Sequence, residues 1–297
     1  RIPEHLPRIK KSLHEEEPLD QSFEFLSRIK EWARGLGLNE AVNYSFTSNA
    51  DLDRLDIGKE YRVNIYNPLS EDQDVMRTDL LPGLLQTLRH NLGHGNVRLK
   101  IFETARSFLL DQASETGAAE TNRLALLLHG PRFVNEWPNP GELFDYTDIK
   151  GLLENLMLRF SSGQAWFKMY ESHPYLFPAV SFGMGEYDLG FTGRVKGEIA
   201  REYKARNEVW MADVNLDTLQ KLYALRETVF TPLPRFPVVK RDMTVIVPAD
   251  LGYEEIRTAV QKSSIPILEG VVLTDVYMPE GSKEKNMTFR MTYRHPD

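Results

Sequence analysis

The sequence contains no cysteine among its 297 residues. This absence excludes a disulfide framework, thiol catalysis and cysteine-ligated metal sites, and it is typical of a reducing compartment. The sequence also lacks an apolar run of the roughly 18 residues that a membrane helix needs, and it does not open with a signal-peptide pattern. We therefore predict a cytoplasmic protein with no membrane partner.

An excess of positive charge is missing as well. The chain has 36 Lys and Arg residues against 43 Asp and Glu residues, a formal net charge of −7. From Pro232 onward nine basic residues balance nine acidic ones, so the acidic excess lies before that point. Proteins that hold nucleic acid by bulk charge have the opposite balance, because phosphate contacts dominate that affinity. The composition argues against a dedicated nucleic-acid-binding protein.

Hydrophobic residues make up 41% of the chain, which is enough for about two globular domains. Residues 1–19 combine prolines with clustered charges, and we predict that they are a linker from a preceding module. A second proline-rich run, TPLPRFP, predicts a boundary. We therefore predict a first domain over residues 20–231 and a second over residues 232–297.

Apolar spacing predicts the helices of the first domain. Asp20 is a candidate cap for a helix whose apolar residues recur every three or four positions: Phe23, Leu26, Ile29, Trp32 and Ala33. A second helix is predicted with Thr78 as its N-cap, Pro82 in its first turn and Gly93 at its end. Its buried stripe is predicted to be Leu81, Leu84, Leu85, Leu88 and Leu92. A third helix is predicted in DYTDIKGLLENLMLRF.

Strand patterns complete the first domain. Strands are predicted in YRVNIYNP, VRLKIFETARSFLL, NRLALLLHG and EVWMADVNL, and the last is followed by a helix in LDTLQKLYAL. The run NRLALLLHG is almost continuously apolar and is predicted to be buried on both faces. The segment AVSFGMGEYDLGFTGRV predicts a hairpin that turns near Glu186 to Asp188. Together these elements predict an α+β fold with a largely antiparallel sheet and helices packed on it.

The second domain shows the order strand, helix, strand, strand, which is four of the six elements of a ferredoxin-like unit. Because a second helix and a fourth strand are missing, we expect the natural chain to continue beyond Asp297. For the same reason, part of the apolar face formed by Val245, Phe289 and Met291 is expected to lack a cover.

Three segments, taken in this order and spacing, resemble the beta subunits of bacterial phenylalanyl-tRNA synthetases: YNPLSEDQDVMRTDLLPGLLQTLRHN, RLKIFETARSF and PRFPVVKRDMTVIV. The resemblance covers essentially the whole chain. It implies that the first domain is a class II synthetase-like core and the second part of a ferredoxin-fold anticodon-binding domain. It also implies that the family's editing site and metal-binding acidic cluster lie upstream of this chain.

The resemblance allows the class II motifs to be checked. The helix from Phe23 to Leu36 and the run up to Pro68 resemble the first motif, which builds the subunit interface. The second motif places a phosphate-binding arginine after an aromatic residue, but this chain has Leu109 after Phe108. Leucine cannot replace a bidentate guanidinium. The third motif needs a Gly-x-Gly turn and an arginine, and the corresponding segment ADVNLDTLQKL has neither at the turn. The resemblance thus implies no catalytic residue in this chain.

Three other groups of residues could form metal or phosphate sites, but we predict that they have ordinary structural roles. His90 and His94 have the spacing of two metal ligands on a helix, but Gly93 and Gly95 interrupt the helix there and no third ligand is apparent. Three acids could form a Mg²⁺ site or could favour the start of a helix: Asp72, Asp74 and Asp79. The Gly-x-Gly at Gly183 to Gly185 is predicted to consist of strand glycines. We predict no metal site and no cofactor site in this chain.

Candidate interface residues follow from the resemblance. Phe23 and Trp32 are predicted either as core or as contacts to a partner subunit, and Arg77 either as an interface contact or as an intrachain ion pair. In the second domain, a polar sheet face is predicted to contact tRNA, with a solvated face as the alternative. The residues assigned to it are Lys240, Arg241, Thr244, Arg290 and Arg294. No solvent-facing aromatic residue is an obvious stacking platform for bases.

The sequence therefore predicts a non-catalytic beta subunit of phenylalanine–tRNA ligase. Its predicted partners are a catalytic alpha subunit, in an alpha2beta2 heterotetramer, and the tRNA for phenylalanine. ATP and Mg²⁺ are predicted to act in the assembled enzyme. The alternatives are an autonomous class II adenylate-forming enzyme with divergent motifs and a free-standing RNA-binding scaffold. Leu109 and the missing glycines argue against the first alternative, and the acidic charge argues against the second.

Overall fold

The computed structural model describes residues 18–133, 137–138, 141–226, 234–263 and 265–295, without the side chains of residues 18–20 and 261. The chain divides into two compact units, residues 1–227 and residues 228–297. The predicted boundary between residues 231 and 232 stays a prediction, and part of the predicted linker lies outside the described residues. Within the described ranges, no helix has the length and apolarity needed to cross a lipid bilayer.

The first unit is built on a seven-stranded sheet flanked by helices. Its helices are α1 (Pro18–Gly35), α2 (Asn49–Arg54), α3 (Leu81–Gly93), α4 (Tyr146–Phe160), α5 (Gly197–Glu202) and α6 (Leu216–Ala224). Its strands are β1 (Asn39–Glu40), β2 (Phe46–Thr47), β3 (Val75–Met76), β4 (Leu99–Leu110), β5 (Ala118–His129), β6 (Ala165–Tyr170), β7 (Leu176–Met184), β8 (Tyr187–Val195) and β9 (Val209–Asn215).

The strands of the large sheet run in the order β1-β4-β5-β9-β8-β7-β6. Only the short β1 is parallel to its neighbour, and every other pairing is antiparallel. The separate pair β2–β3 is also antiparallel. The prediction of a largely antiparallel sheet covered by helices is confirmed.

Each face of the sheet carries its own hydrophobic core. On one face, α1, α4 and α6 pack on alternate residues of β5 such as Leu124, Leu126 and Leu128. On the other face, α3 and α5 pack on Ala125 and Leu127. All five residues are fully buried, which confirms that β5 is covered on both sides.

The first helix begins at Pro18, before the predicted cap Asp20. Phe23 is 74% exposed, whereas Phe25 is buried and packs edge-on against Phe160. The prediction that Phe23 belongs to the buried stripe is therefore wrong. Phe25, Ile29 and Trp32 are spaced by four and three residues and define the buried face instead.

The helix α3 has the predicted leucine stripe and Pro82 in its first turn. Thr78 does not cap it, because the helix starts at Leu81 and its first N–H donates to Asp79 Oδ1 at 2.9 Å. The Thr78 hydroxyl is buried and has no hydrogen-bond partner among the described residues. The predicted N-cap is therefore wrong: the residue at the N-cap position is Leu80, two residues later, which offers no capping side chain.

The predicted strand YRVNIYNP does not form. Among these residues, the structure has only a single bridge between Asn64 and Val75 and a short 3-10 turn at Lys59–Tyr61. Arg62, the second residue of the run, is 3% exposed and turns into the protein to meet polar partners. An inward arginine breaks the alternation that a half-buried strand requires.

The predicted third helix and the predicted hairpin of the first unit are confirmed. The helix α4 starts at a capping box made by Asp145 and Asp148. The hairpin β7–β8 turns at Gly185 and Glu186. Gly183 lies inside it, where a Cβ atom would sit 2.1 Å from the Tyr187 carbonyl oxygen and 2.3 Å from the Trp166 ring. Gly183 is therefore a packing requirement of the strand.

The second unit contains β10 (Val239–Pro248), α7 (Tyr253–Lys262), β11 (Leu268–Tyr277) and β12 (Glu284–Tyr293), in the predicted order. Its antiparallel sheet has the strand order β10-β12-β11. Phe289 is buried and stacks on Tyr253 of α7, so the expectation that it lacks a cover is wrong. The open part is a groove of about 650 Å³ beside α7, where Met243 stays 45% exposed.

Candidate functional site

A buried ion pair attaches the loop before α3 to the large sheet. Arg77 Nη1 lies 3.2 Å from Glu103 Oε1, and both side chains are buried. Arg77 Nε also donates to the carbonyl oxygen of Arg106 at 2.7 Å. Asn43 donates to both Glu103 oxygens, from its backbone N–H at 3.0 Å and from Nδ2 at 2.7 Å. The loops around residues 43 and 77 are therefore held on β4 by one charge-assisted network.

A second buried arginine organises the neighbouring loop. Arg62 Nη2 lies 2.7 Å from Asp53 Oδ1, and Nη1 donates to Asn49 Oδ1 at 2.9 Å. Asn49 in turn donates its backbone N–H to Asp74 Oδ1 at 2.8 Å. The hydrogen bond from Arg62 lowers the pKa of Asp53 below its ordinary value. The segment between α2 and β3 has little regular secondary structure, and these side-chain contacts hold it in place.

The two networks support an exposed apolar surface. It consists of Val42, Tyr44, Phe46, Tyr66 and Leu69, and we call it the apolar loop surface. Leu69 is 93% exposed and Tyr44 is 77% exposed. Phe46 pairs with Met76, and the Ile65 N–H donates to the Asp74 carbonyl oxygen at 2.9 Å, so the contributing segments are neighbours. Apolar patches of this kind mark interaction sites on protein surfaces.

The start of α3 shapes a cavity of about 220 Å³ beside this surface, lined in part by Tyr44, Phe46 and Gly83. A Cβ atom on Gly83 would lie 3.3 Å from the Asn43 side chain. The Thr87 hydroxyl donates to Asn43 Oδ1 at 2.9 Å. Gly83 therefore lets α3 pack directly on the loop that carries the exposed aromatic residues.

A polar network lies beneath the α3 start. Asp79 Oδ1 accepts the Tyr175 hydroxyl at 3.1 Å in addition to the Leu81 N–H. Asp79 as a residue keeps some solvent exposure, but its carboxyl group meets the fully buried Tyr175. Burial, reinforced by the nearby Asp213, raises the pKa of Asp79 to about 7. Burial also raises the pKa of Asp213, although Arg123 lies 2.7 Å away and opposes this effect.

The three acids considered for a Mg²⁺ site do not converge. Asp74 binds Asn49, Asp79 faces inward, and Asp72 is exposed beside the cavity. His90 and His94 lie together at the end of α3, with ring centroids 4.3 Å apart. In the described part of the chain, no group of three or more His, Asp or Glu side chains is arranged to hold a metal ion.

The structure places the three predicted interface residues differently. Phe23 is exposed and accessible to a partner. Trp32 is 3% exposed, and its indole N–H donates to Asn155 Oδ1 at 2.8 Å within the chain's own core. Arg77 forms an intrachain ion pair, which is one of the two roles predicted for it from the sequence. The interface roles stay predictions, but Trp32 and Arg77 have structural contacts that would be lost on substitution.

The second unit has an open sheet face, and three of the predicted tRNA contacts lie on it: Lys240, Thr244 and Arg290. Thr244 pairs with Thr288, and their hydroxyl oxygens are 2.9 Å apart. Arg290 donates to both carboxylate oxygens of Asp242, each at 2.8 Å. This pairing lowers the pKa of Asp242 and raises that of Arg290. The positive charge of Arg290 is therefore partly offset by its neighbour.

The other predicted tRNA contacts are distributed around the sheet. Lys240 shares the open face with Thr244, whereas Arg241 pairs with the buried Met291 and so lies on the opposite face. Arg294 follows β12 and lies 3.1 Å from Glu269. The five assigned residues therefore do not form one surface, and their role in tRNA binding stays a prediction.

An exposed aromatic residue was missed on the open face. Tyr277 pairs with Asn286, which pairs with Ile246 on β10, and Tyr277 is 59% exposed. Simple alternation along β11 puts Tyr277 on the apolar face. An irregularity in the register between Leu273 and Asp275 shifts it to the open face.

Comparison with known proteins identifies both units. A family model described as "Phenylalanyl tRNA synthetase beta chain CLM domain" matches residues 2–216. A model described as "Ferredoxin-fold anticodon binding domain" matches residues 234–297. The curated phenylalanine–tRNA ligase beta subunit of Oleidesulfovibrio alaskensis is 45% identical over the whole chain, which covers 37% of that protein. The beta subunit of Nitratidesulfovibrio vulgaris is 43% identical over 98% of the chain, covering 36% of that protein.

The chain thus spans a little over a third of the length of these relatives. Among solved structures, the pyrrolysyl-tRNA synthetase from Desulfitobacterium hafniense superposes with a TM-score of 0.53 at 12% identity. The match covers 66% of this chain and 67% of that structure. The likeness confirms the predicted class II synthetase-like α+β fold.

Proposed function

The chain belongs to the family of phenylalanyl-tRNA synthetase beta chains, and we propose that it acts as a non-catalytic beta subunit of a phenylalanine–tRNA ligase. In this role it binds a catalytic alpha subunit, in an alpha2beta2 assembly, and helps to position the tRNA for phenylalanine in the cytoplasm. ATP and Mg²⁺ are used in the assembled enzyme, at groups that the alpha subunit supplies.

The observation that carries this proposal is the chemistry at the positions where a class II enzyme binds its nucleotide. Leu109 stands where the phosphate-binding arginine is expected, and it pairs with Ala119 on β5. A leucine offers no hydrogen-bond donor to a phosphate group. This position cannot stabilise the negative charge that develops during adenylate formation.

The start of α6 supports the same conclusion. The Thr218 N–H, which could face a phosphate, donates instead to Asn215 Oδ1 at 3.0 Å. Asp217 in the first turn accepts hydrogen bonds from the backbone N–H and the Nδ2 group of Asn122, at 3.0 and 2.8 Å. A carboxylate at this helix start repels an anion.

The isolated chain is expected to show no phenylalanine-dependent exchange of pyrophosphate into ATP. The physical reason is the missing phosphate ligand at Leu109, and the exchange should appear when the complete beta subunit is assembled with the alpha subunit. Exchange that persists in a preparation free of alpha subunit would contradict the proposal. It would favour the alternative of an autonomous adenylate-forming enzyme.

The apolar loop surface is the surface that we propose for binding the alpha subunit. Substituting Leu69 by glutamate is expected to weaken alpha–beta association about tenfold, because a charge would be buried without a partner. Leu69 is 93% exposed in the chain, so the fold should not change. Association is measured by titrating labelled beta subunit with alpha subunit.

Leu158→Glu provides a matched control. Leu158 lies on α4 in the same unit and is 77% exposed, but it is not part of the apolar loop surface. Its substitution should leave association unchanged. Equal affinities for the Leu69 and Leu158 variants would show that the apolar loop surface does not contact the alpha subunit.

A further inference from the structure

A second cavity in the first unit has a basic rim. Its volume is about 630 Å³, and its lining includes Arg201, Lys204, Arg206, His129, Leu92 and Val97. No carboxylate is among its lining residues. In a chain with a net charge of −7, a pocket lined by three cations and no acid is a local reversal of charge. We call it the basic pocket.

The three cations of the basic pocket are available to a ligand. Arg201, Lys204 and Arg206 are exposed, and within the described residues none of their charged groups forms an ion pair. Two acids adjacent to these residues in the chain are engaged elsewhere. Glu202 Oε2 lies 3.3 Å from Arg54 Nε, and Glu208 pairs with Arg194. Neither of these two acids pairs with a cation of the pocket.

The backbone conformation of Lys204 is unusual for a lysine. Its φ is 64°, in the left-handed region. It follows the end of α5, where the Ala205 N–H donates to the Ala200 carbonyl oxygen at 3.0 Å, and glycine is the common residue at such a position. A Cβ atom makes this backbone conformation unfavourable, whereas glycine adopts it without strain. The strained position places an ammonium group at the rim.

The floor of the basic pocket is neutral. His129 is 2% exposed, and Nδ1–H donates to the Glu208 carbonyl oxygen at 3.1 Å. Burial lowers the pKa of His129, so the ring is uncharged near neutral pH. Its second nitrogen, Nε2, has no hydrogen-bond partner among the described residues. Leu92 and Val97 line the same pocket, so it also offers uncharged surface that can contact an uncharged group.

We propose that the basic pocket binds RNA, with Arg201, Lys204 and Arg206 contacting phosphodiester groups and the floor contacting an adjacent nucleoside. The inference rests on the proposed function and adds an RNA contact within the first unit. Exposed, unpaired cations around a wide opening suit an extended polyanion, because phosphate contacts to RNA are made mainly by such side chains. A small free anion would be better held by enclosed, converging donors.

The test measures binding of a fluorescently labelled transcript of the tRNA for phenylalanine to the complete beta subunit assembled with its alpha subunit. Affinity is recorded by anisotropy at several salt concentrations for wild type, Lys204→Gly, Arg206→Gln and the control Arg34→Gln. Arg34 is an exposed arginine on α1, which packs on the opposite face of the sheet. Inorganic phosphate and polyglutamate serve as competitors.

Each pocket substitution is expected to weaken RNA binding and to reduce the slope of log affinity against log salt by about one. Lys204→Gly should keep or raise the melting temperature, since glycine relieves the left-handed backbone, so weaker binding cannot come from unfolding. Arg34→Gln should leave both quantities unchanged. Unchanged slopes in the pocket variants, with wild-type RNA binding intact, would overturn the inference and leave the proposed function standing.

Two competitor results would also overturn it. If millimolar inorganic phosphate abolishes the difference between wild type and the pocket variants, the site is one for a small anion. If polyglutamate competes with RNA for wild type but not for the variants, the site recognises an acidic protein segment. Failure of the wild-type assembly to bind the transcript would reject the proposed function together with this inference.

Discussion

Substituting Arg77 by methionine is expected to lower the free energy of unfolding of the first unit by about 3–5 kcal/mol. The reason is the charge that remains. Glu103 is 2% exposed, and without Arg77 Nη1 at 3.2 Å its carboxylate would be buried with only the Asn43 donors. The Arg106 carbonyl oxygen would also lose its donor at 2.7 Å. The loss at Glu103 is the costly one, because this carboxylate is buried.

The measurement is urea unfolding followed by tryptophan fluorescence. All four tryptophans, at positions 32, 137, 166 and 210, belong to the first unit, so the signal reports on that unit alone. Arg106→Met is the matched control. Arg106 lies on the same strand and pairs with Glu120 at 2.9 Å, but both side chains are exposed. Exposed pairs contribute about 0–1 kcal/mol, so a similar loss in both variants would contradict the role of burial.

The fold was predictable where one periodicity dominates the sequence. The helix α4 shows regular apolar spacing together with a capping acid, Asp145, and β5 shows a continuous apolar run. In these segments local propensity and burial agree. The segment around Arg62 was mispredicted because its alternating pattern resembles a strand. Only the tertiary partners Asn49 and Asp53 explain why a charged residue points inward there.

The candidate sites were less predictable because they depend on contacts between distant residues. Glu103 belongs to an apparently ordinary strand, and nothing near it in the sequence indicates that it pairs with Arg77. Tyr277 could not be placed correctly, since one extra residue in a register changes the face of every residue that follows. The basic pocket combines a helix end near Arg201 with a histidine on β5, and its sequence signal is only a cluster of surface charges.

The asparagine variant of Asp79 is expected to gain stability relative to wild type as the pH rises from 5 to 8, by about 2–3 kcal/mol. In the folded chain the pKa of Asp79 is raised to about 7 by burial and by Asp213, whereas its ordinary value is 3.8. Between these two values the folded state keeps a proton that the unfolded state has released. The free energy of unfolding of the wild type therefore falls with rising pH through this window, and the contribution of Asp79 becomes constant above about pH 7.

The asparagine side chain preserves the local geometry, because its Oδ1 can accept the Leu81 N–H and the Tyr175 hydroxyl as Asp79 does. It does not titrate, so the difference in unfolding free energy between variant and wild type isolates the carboxyl group. Asp53→Asn is the control. Arg62 holds the pKa of Asp53 below its ordinary value, so Asp53 is ionised in both the folded and the unfolded state from pH 5 to 8. The difference in unfolding free energy between Asp53→Asn and wild type should therefore not change with pH. An equally flat difference for Asp79→Asn would show that the acid is ionised throughout this range, and that the start of α3 tolerates a buried carboxylate without a proton.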